Sequence, residues 1–523
     1  VRLDLWHDTA PAPPDAPALR EATAVWDRAA LARATRAGGA WLEAEAGIAE
    51  GTVCAVLARP TAAGVAAVAS VLASRGALAA LNPAATPAEI ETALEQMRPA
   101  ALVVEPGTRD LARAVWARSG RPDSGSGARS RPALVEFTAP DAPPRLLADR
   151  DPEFSPLQLP ADRKIVVWTS GTTGHPRAIT LRATGVLEAA RAQIDRLDLR
   201  PGEALPASLP LSAVGGLMIP IRAALAGAVV ETAAPFDPDA ILRLAARQRV
   251  HHLSLVPVLL RRLLDALSGP GSQPGSGSGA SLGALRTVLV GGAATPPDLI
   301  ERARRMGLPL ALTWGMTESA AQAATALAAE VDAHPETVGH PLDHLEVRVD
   351  PDGRLALRLG RLDPAEIDAS GRVVSLCDAE GWFRSGDLGR LTPEGRVVIV
   401  GRAADRVISG GVNVDPAEVE RMLLEHPGVD EALVVGVPDP EWGERVVAVI
   451  VPAQAASSAD GSAAASFDPL QDALEGHVRE HMSAAKRPRS WRFVSELPRT
   501  VAGKPDRRAA AALWAIPGPE VTG

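Results

Sequence analysis

Between residues 51 and 104, short apolar runs alternate with alanine-rich stretches of helical length, and this alternation restricts the fold more than any other feature of the chain. The runs Thr52-Val53-Cys54-Ala55-Val56-Leu57-Ala58, Gly76-Ala77-Leu78-Ala79-Ala80-Leu81 and Ala100-Ala101-Leu102-Val103-Val104 read as strands. A helix is expected from near Ala62 to Arg75, and Pro87-Ala88-Glu89-Ile90 opens another. Strand, helix and strand in this rhythm place parallel strands side by side, so the expectation is an α/β fold with a largely parallel sheet.

A further buried strand, Lys164-Ile165-Val166-Val167-Trp168, empties into Thr169-Ser170-Gly171-Thr172-Thr173-Gly174-His175-Pro176-Arg177-Ala178. Gly171 and Gly174 let the backbone bend until successive N–H groups face inward, and the hydroxyls of Thr169, Ser170, Thr172 and Thr173 add donors. The product is a concave anion site suited to a polyphosphate; a plain Ser/Thr/Gly surface turn is the alternative. The common P-loop is excluded, because no lysine follows Gly174.

Composition closes off other classes. At 523 residues, 46% apolar and 22% charged, the chain has material for two or more globular domains. A net charge of −9 argues against a nucleic-acid or anionic-membrane partner. Cys54 and Cys377 are too few for a disulfide framework, no signal-peptide pattern opens the sequence, and no apolar run would span a bilayer; a cytoplasmic enzyme is expected. The Gly/Ser/Ala-rich stretches 121–132, 269–281 and 453–466 are expected to be insertions without chemistry. Only Lys164, Lys486 and Lys504 are lysines among 54 basic residues, so each invites a question about what an ammonium does there.

Three more segments offer contacts to a ligand of this kind. Gly215-Gly216-Leu217 leads into a helix in which Arg222 is set among apolar residues; its guanidinium either reaches water or clamps a carboxylate. Thr287-Val288-Leu289-Val290 ends in Gly291-Gly292-Ala293, where missing side chains let a flat ligand lie against the backbone. Leu308 to Leu312 delivers Thr313-Trp314-Gly315-Met316-Thr317-Glu318; Trp314 offers a purine a flat face, and Thr317 and Glu318 are oxygen donors of the kind Mg²⁺ takes when it also binds phosphate. His251 and His252 would point to opposite faces of a strand, so a metal site there is not expected. Leu391 to Val400 reads as a β-hairpin turning at Pro393-Glu394-Gly395.

The Thr169–Ala178 stretch resembles the signature loop of the adenylate-forming superfamily, which includes acyl-CoA synthetases, peptide-synthetase adenylation domains and luciferases. Arg177 keeps a positive charge where relatives carry lysine. Trp382-Phe383-Arg384-Ser385-Gly386-Asp387, the stretch from Gly401 to Glu420, and Gly503-Lys504-Pro505-Asp506-Arg507 resemble later motifs of that superfamily, in its order. The resemblance implies a large N-terminal domain (1–401) of α/β-layered subdomains plus a β-rich one, and a small mobile α+β C-terminal domain (402–523).

It also implies roles. Thr169, Ser170, Gly171, Thr172, Thr173, Gly174, Arg177, Gly292, Ala293, Thr313, Trp314, Gly315 and Asp387 would hold ATP, Asp387 through the ribose hydroxyls. Gly410 and Gly411 would approach the pantetheine arm of coenzyme A, the co-substrate. Glu318 and Thr172 would bind Mg²⁺. Lys504, Glu318, Thr317 and Arg402 would be catalytic, with Arg402 on ribose or phosphate and Lys504 on the attacking carboxylate and α-phosphate. Arg222, Gly216 and Gly291 would contact a small carboxylic acid. Ser254-Leu255-Val256-Pro257, Leu289 to Pro297, and Trp314 to Ser319 with Gln322 look most like the 2-succinylbenzoate–CoA ligases of menaquinone biosynthesis. The expected activity is therefore an ATP-dependent acid–CoA ligase. A different acyl or aryl acid, an adenylation enzyme loading a carrier protein, and a nucleotide-binding regulator without turnover stay open, as does homo-oligomerisation.

Overall fold

The computed structural model describes residues 2–6, 11–119, 131–151, 154–169, 177–232, 236–268, 283–409, 412–440, 442–453, 468–500 and 504–514. Apart from residues 131, 132 and 453, the three expected insertions lie outside these residues. The chain divides into two compact units, residues 1–347 with 357–383 and residues 348–356 with 384–523.

In the first unit the alternating stretch builds a nine-stranded sheet. Its centre is parallel: Arg163–Thr169, Ala77–Leu81, Val53–Leu57, Ala101–Val104 and Ala133–Glu136 lie side by side, in register from Leu78↔Ile165 to Leu102↔Leu134. The edges are antiparallel, with Arg177–Arg182 and Ala365–Ile367 on one side and Arg145–Ala148 on the other. Helices cover the faces for local reasons. Ala62–Ala73 is buried all round. Pro87–Met97 begins with proline in its first turn and a capping box, in which Glu89 N–H donates to Thr86 Oγ1 and Thr86 N–H to Glu89 Oε2. Lys164 is fully buried, and its ammonium donates to the Ser74 and Gly76 carbonyls just past the end of Ala62–Ala73. Burial pushes its pKa down to about 8.

A second sheet sets three parallel strands, His252–Leu255, Thr287–Val290 and Leu310–Trp314, beside antiparallel Ala324–Ala326 and His340–Pro341. A third runs Ala204–Pro206, Val229–Thr232, Pro17–Glu21, Ala24–Asp27.

In the second unit Trp382–Leu391 and Val397–Arg402 form the expected hairpin, with Gly395 at φ +83° in its turn. Beyond it, Val412–Val414, Val407–Ser409, Gly443–Pro452 and Val429–Asp439 make a sheet, and Ser490–Phe493 joins it parallel to Gly443–Pro452. Helices Pro416–Leu424 and Asp468–His481 pack Val419, Leu423, Leu474 and Val478 against Val434, Val446 and Ile450 of this sheet. Among the described residues no helix is long and apolar enough to cross a membrane.

Candidate active site

In open α/β sheets ligands collect beyond the carboxyl ends of parallel strands, where helix N-termini and loop amides converge. The segments singled out in the sequence sit at such ends. Ser254, Gly291 and Trp314 occupy the carboxyl ends of three neighbouring parallel strands, in register through Leu255↔Val290 and Val290↔Leu312. Thr169 ends the strand of the larger sheet at the edge of its parallel core and pairs directly with Arg177, so the chain leaves the loop as an antiparallel strand. Ser170, Gly171, Thr172, Thr173 and Gly174 lie outside the described residues, as do Gly410 and Gly411.

Several site glycines are close-packed against backbone. A Cβ on Gly216 would stand 2.0 Å from the Pro210 carbonyl oxygen, and one on Gly291 would stand 2.6 Å from the Thr313 methyl. Gly292 is left-handed at φ +81°, and Ala293 beside it is exposed. Thr313 spends its hydroxyl inside the sheet, donating to the Ala324 carbonyl and bonding Thr325 Oγ1, both at 2.9 Å. Trp314 is buried.

Thr317–Ser319 is a single 3₁₀ turn that presents Glu318 half-buried, pinned by Ser319 Oγ against both Met316 N–H and Met316 O. Ala320 and Ala321 follow at φ +53° and +86°, conformations that side-chain-bearing residues adopt only when the surroundings impose them. The reason lies in packing: a Cβ on Gly315 would stand 2.0 Å from the Ala321 carbonyl oxygen, so the turn folds down onto Gly315. Arg177 lies in the field of Glu318 but is held by Glu366 on the adjoining strand, Nη2 to Oε2 at 2.6 Å. Glu318 is one carboxylate beside a threonine hydroxyl. That donor set fits Mg²⁺ sharing its shell with substrate phosphates and water. Among the described residues no group of three or more His, Cys, Asp or Glu could hold a metal by itself. His252 bonds Glu203 at 2.9 Å, and Glu203 in turn binds Arg286, an ion-pair network under the sheet.

Arg222 does not reach water. It is 2% exposed, inside helix Val214–Ala226. Nη1 donates to Gln193 Oε1 at 3.0 Å, Nη2 lies 3.4 Å from Ser254 Oγ, and Nε is buried with no partner among the described residues. Its hydrogen-bond partners are neutral, and burial lowers its pKa to about 10, which still leaves it charged at neutral pH. Gln322, 1% exposed, likewise has an unpartnered amide Nε2 while its Oε1 accepts from Thr325. A buried cation with only neutral partners among the described residues is the arrangement an anionic ligand would complete. Gln193 escaped sequence reasoning, although a signal existed: it is the polar member of the buried stripe Val186, Ala189, Ala190, Gln193, Leu197 on helix Ala183–Leu197.

In the second unit Arg402 Nε donates to Asp387 Oδ1 at 2.9 Å across the hairpin pair Asp387↔Arg402. Ser385 Oγ receives the Asp387 N–H and donates to the Leu355 carbonyl, fixing the aspartate's backbone. Lys504 is exposed, yet its ammonium sits close enough to protein to feel both groups. Desolvation lowers its pKa, Arg402 lowers it further, and Asp387 opposes them. The structure thus brings Asp387, Arg402 and Lys504 into one electrostatic cluster. Arg507 of the same C-terminal motif turns the other way and binds Asp405, Glu420 and the Val434 carbonyl, tying the start of the unit to its sheet. Lys486 forms an ion pair with Glu418 at 2.6 Å.

Comparison with known proteins bears on family and fold. The family model described as AMP-binding enzyme matches residues 6–360, and the AMP-binding enzyme C-terminal domain matches residues 418–504. An indoleacetate–CoA ligase of Aromatoleum aromaticum is 33% identical over 403 residues, covering 72% of this chain and 74% of that protein. A 2-succinylbenzoate–CoA ligase of Listeria monocytogenes is 30% identical over 342 residues, covering 65% and 68%. Among solved structures, an amide bond synthetase from Marinactinospora thermotolerans superposes with a TM-score of 0.78 at 26% identity, covering 98% of each chain. The o-succinylbenzoate CoA synthetase of Bacillus subtilis with its acyl-adenylate intermediate gives 0.73 at 22% over 97% of each, a likeness of fold alone.

Proposed function

The chain belongs to the AMP-binding enzyme family, as an AMP-forming acid–CoA ligase, and on that premise we propose that its acid is a dicarboxylate of the 2-succinylbenzoate type. The observation that carries this reading is Arg222, buried, charged and, among the described residues, bonded only to neutral groups. A monocarboxylic acid whose one carboxylate reacts would leave that charge unanswered; a second, unreactive carboxylate would answer it. The proposed setting is menaquinone biosynthesis. The second reading, an arylacetic acid such as indoleacetate, is favoured by the 33% identity to a ligase of that name.

In the proposed mechanism a carboxylate oxygen attacks the α-phosphorus of ATP, and the bond to pyrophosphate breaks. Mg²⁺ held by Glu318 and Thr172 would neutralise phosphate charge. Lys504 offsets charge growing on the phosphoryl oxygens, Asp387 and Arg402 hold the ribose end, and Trp314, Gly315, Gly292, Ala293 and Thr313 line the nucleotide. The thiolate of coenzyme A, guided by Gly410 and Gly411, then attacks the acyl carbon and AMP leaves. We place the pivot between these half-reactions at Arg402–Asp405, between domains 1–401 and 402–523, so that the ammonium used in the first step withdraws before the second.

The test is pyrophosphate release with 2-succinylbenzoate, with 3-benzoylpropanoate (the same acid without its ring carboxylate) and with indoleacetate. Arg222→Met is expected to lower kcat/KM for 2-succinylbenzoate roughly a hundredfold, mostly through KM, and that for 3-benzoylpropanoate by no more than about tenfold. Equal use of the two keto acids by the unaltered enzyme would refute the dicarboxylate reading, and preference for indoleacetate would establish the second.

A further inference from the structure

Gln193 is fully buried, and both ends of its amide are engaged. Its Oε1 accepts from Arg222 Nη1 at 3.0 Å, and its Nε2 donates to the Ala320 carbonyl at 2.8 Å. Arginine only donates and a carbonyl only accepts, so this orientation of the amide is the one chemistry permits. The two partners belong to different parts of the site. Arg222 is the buried cation; Ala320 is the first of two left-handed alanines, directly after the Thr317–Ser319 turn that presents Glu318, and Ala321 beside it presses its carbonyl onto Gly315. A single side chain therefore joins the cation to the turn carrying the expected metal and nucleotide contacts.

We propose that Gln193 is a positioning residue that couples Arg222 to the nucleotide end of the site. Hydrogen bonds in series polarise one another, so a cation at one end of the amide strengthens the bond at the other. Through that bond Arg222 adds to the packing on Gly315 that holds Ala320 in its unfavourable backbone state, and so to the placement of Glu318. An anion settling on Arg222 changes the field on the amide, and the turn registers it. The proposal rests on Arg222 as the seat of the acid's second carboxylate for its biological sense, but not for its test.

The test is a double-mutant cycle on the dissociation constant of Mg²⁺ with α,β-methylene-ATP, measured by calorimetry without any acid. Arg222→Met and Gln193→Leu are each expected to weaken binding on the order of five- to tenfold, and the double variant no further than either alone. Additive losses, or an Arg222→Met variant that binds the analogue as the unaltered enzyme does, would overturn the proposal. Gln193→Glu gives an isosteric second arm: it keeps an acceptor for Arg222 but loses the donor to Ala320. It should weaken the analogue as Gln193→Leu does and bind 2-succinylbenzoate poorly, because Arg222 then has a carboxylate of its own. Unchanged analogue affinity in Gln193→Glu would likewise overturn the coupling. Failure of the dicarboxylate reading would show separately, as indifference of the unaltered enzyme to the ring carboxylate, with the cycle intact.

Discussion

Arg222, the proposed seat of a second carboxylate, costs stability in the ligand-free protein. Its folded-state pKa of about 10 lies below the ordinary arginine value, so at any pH under 10 the buried charge penalises folding, and the penalty fades only as pH rises beyond 10 toward that value. That cost is on the order of a few kcal/mol. Arg222→Met is therefore expected to raise, or at least not lower, the melting temperature of the ligand-free protein while it cripples use of the dianionic acid; a large fall in melting temperature would contradict this. Lys504 carries the opposite kind of prediction. Its pKa is lowered from the ordinary lysine value by desolvation and Arg402, so it loses its charge at lower pH than a free lysine. The alkaline limb of adenylation should fall correspondingly early, and Lys504→Ala should cost adenylation on the order of a hundredfold or more while thioester formation from preformed acyl-adenylate continues. Stopped-flow measurement of the two half-reactions distinguishes them; equal loss in both would place the lysine elsewhere.

At the scale of elements, local chemistry decides more than propensity. The helix Pro87–Met97 owes its start to the Thr86 and Glu89 box, and Thr86→Ala should lower unfolding free energy by about 1 kcal/mol in a denaturant titration without touching activity. The Trp314–Ala321 segment is less forgiving. Gly315→Ala would place a methyl 2.0 Å from the Ala321 oxygen, so the turn bearing Glu318 must move. A displacement near 1 Å at such a position costs roughly a hundredfold in rate. The expected outcome is a fall in adenylation kcat larger than any change in melting temperature. The strand at Arg163–Thr169 and the hairpin turning at Pro393–Gly395 were legible as patterns of apolar runs and turn residues, whereas the paired strand Arg177–Arg182 was not read there. The two left-handed alanines were not, because nothing in Ala-Ala marks a positive φ; Gly315 and the carbonyl above it impose it.

For the molecule as a whole, Arg507 is the keystone of the second unit. It neutralises Glu420, whose pKa is raised by desolvation and pulled back by the guanidinium. Arg507→Met should destabilise this unit by roughly 3–5 kcal/mol at neutral pH. The deficit should shrink toward pH 5, since a carboxyl with a raised folded pKa favours folding only where it can be protonated. A deficit that does not vary with pH would show that Glu420 is not the group left unpaired. The α/β class, the first strands and helices of the large sheet, and the resemblance of scattered motifs to one enzyme family were written in the sequence. They depend on the spacing of apolar residues, glycines and hydroxyls along the chain, which is local information. What the tertiary structure alone decided is which polar groups end up facing one another. Arg222 looked equally able to reach water or to be sealed from it, Gln193 looked like one more helix residue, and Arg507 looked like part of the lysine's motif. Burial settled all three, because the free energy of a charge is fixed by what surrounds it, and those surroundings come from helices and strands far apart in the chain.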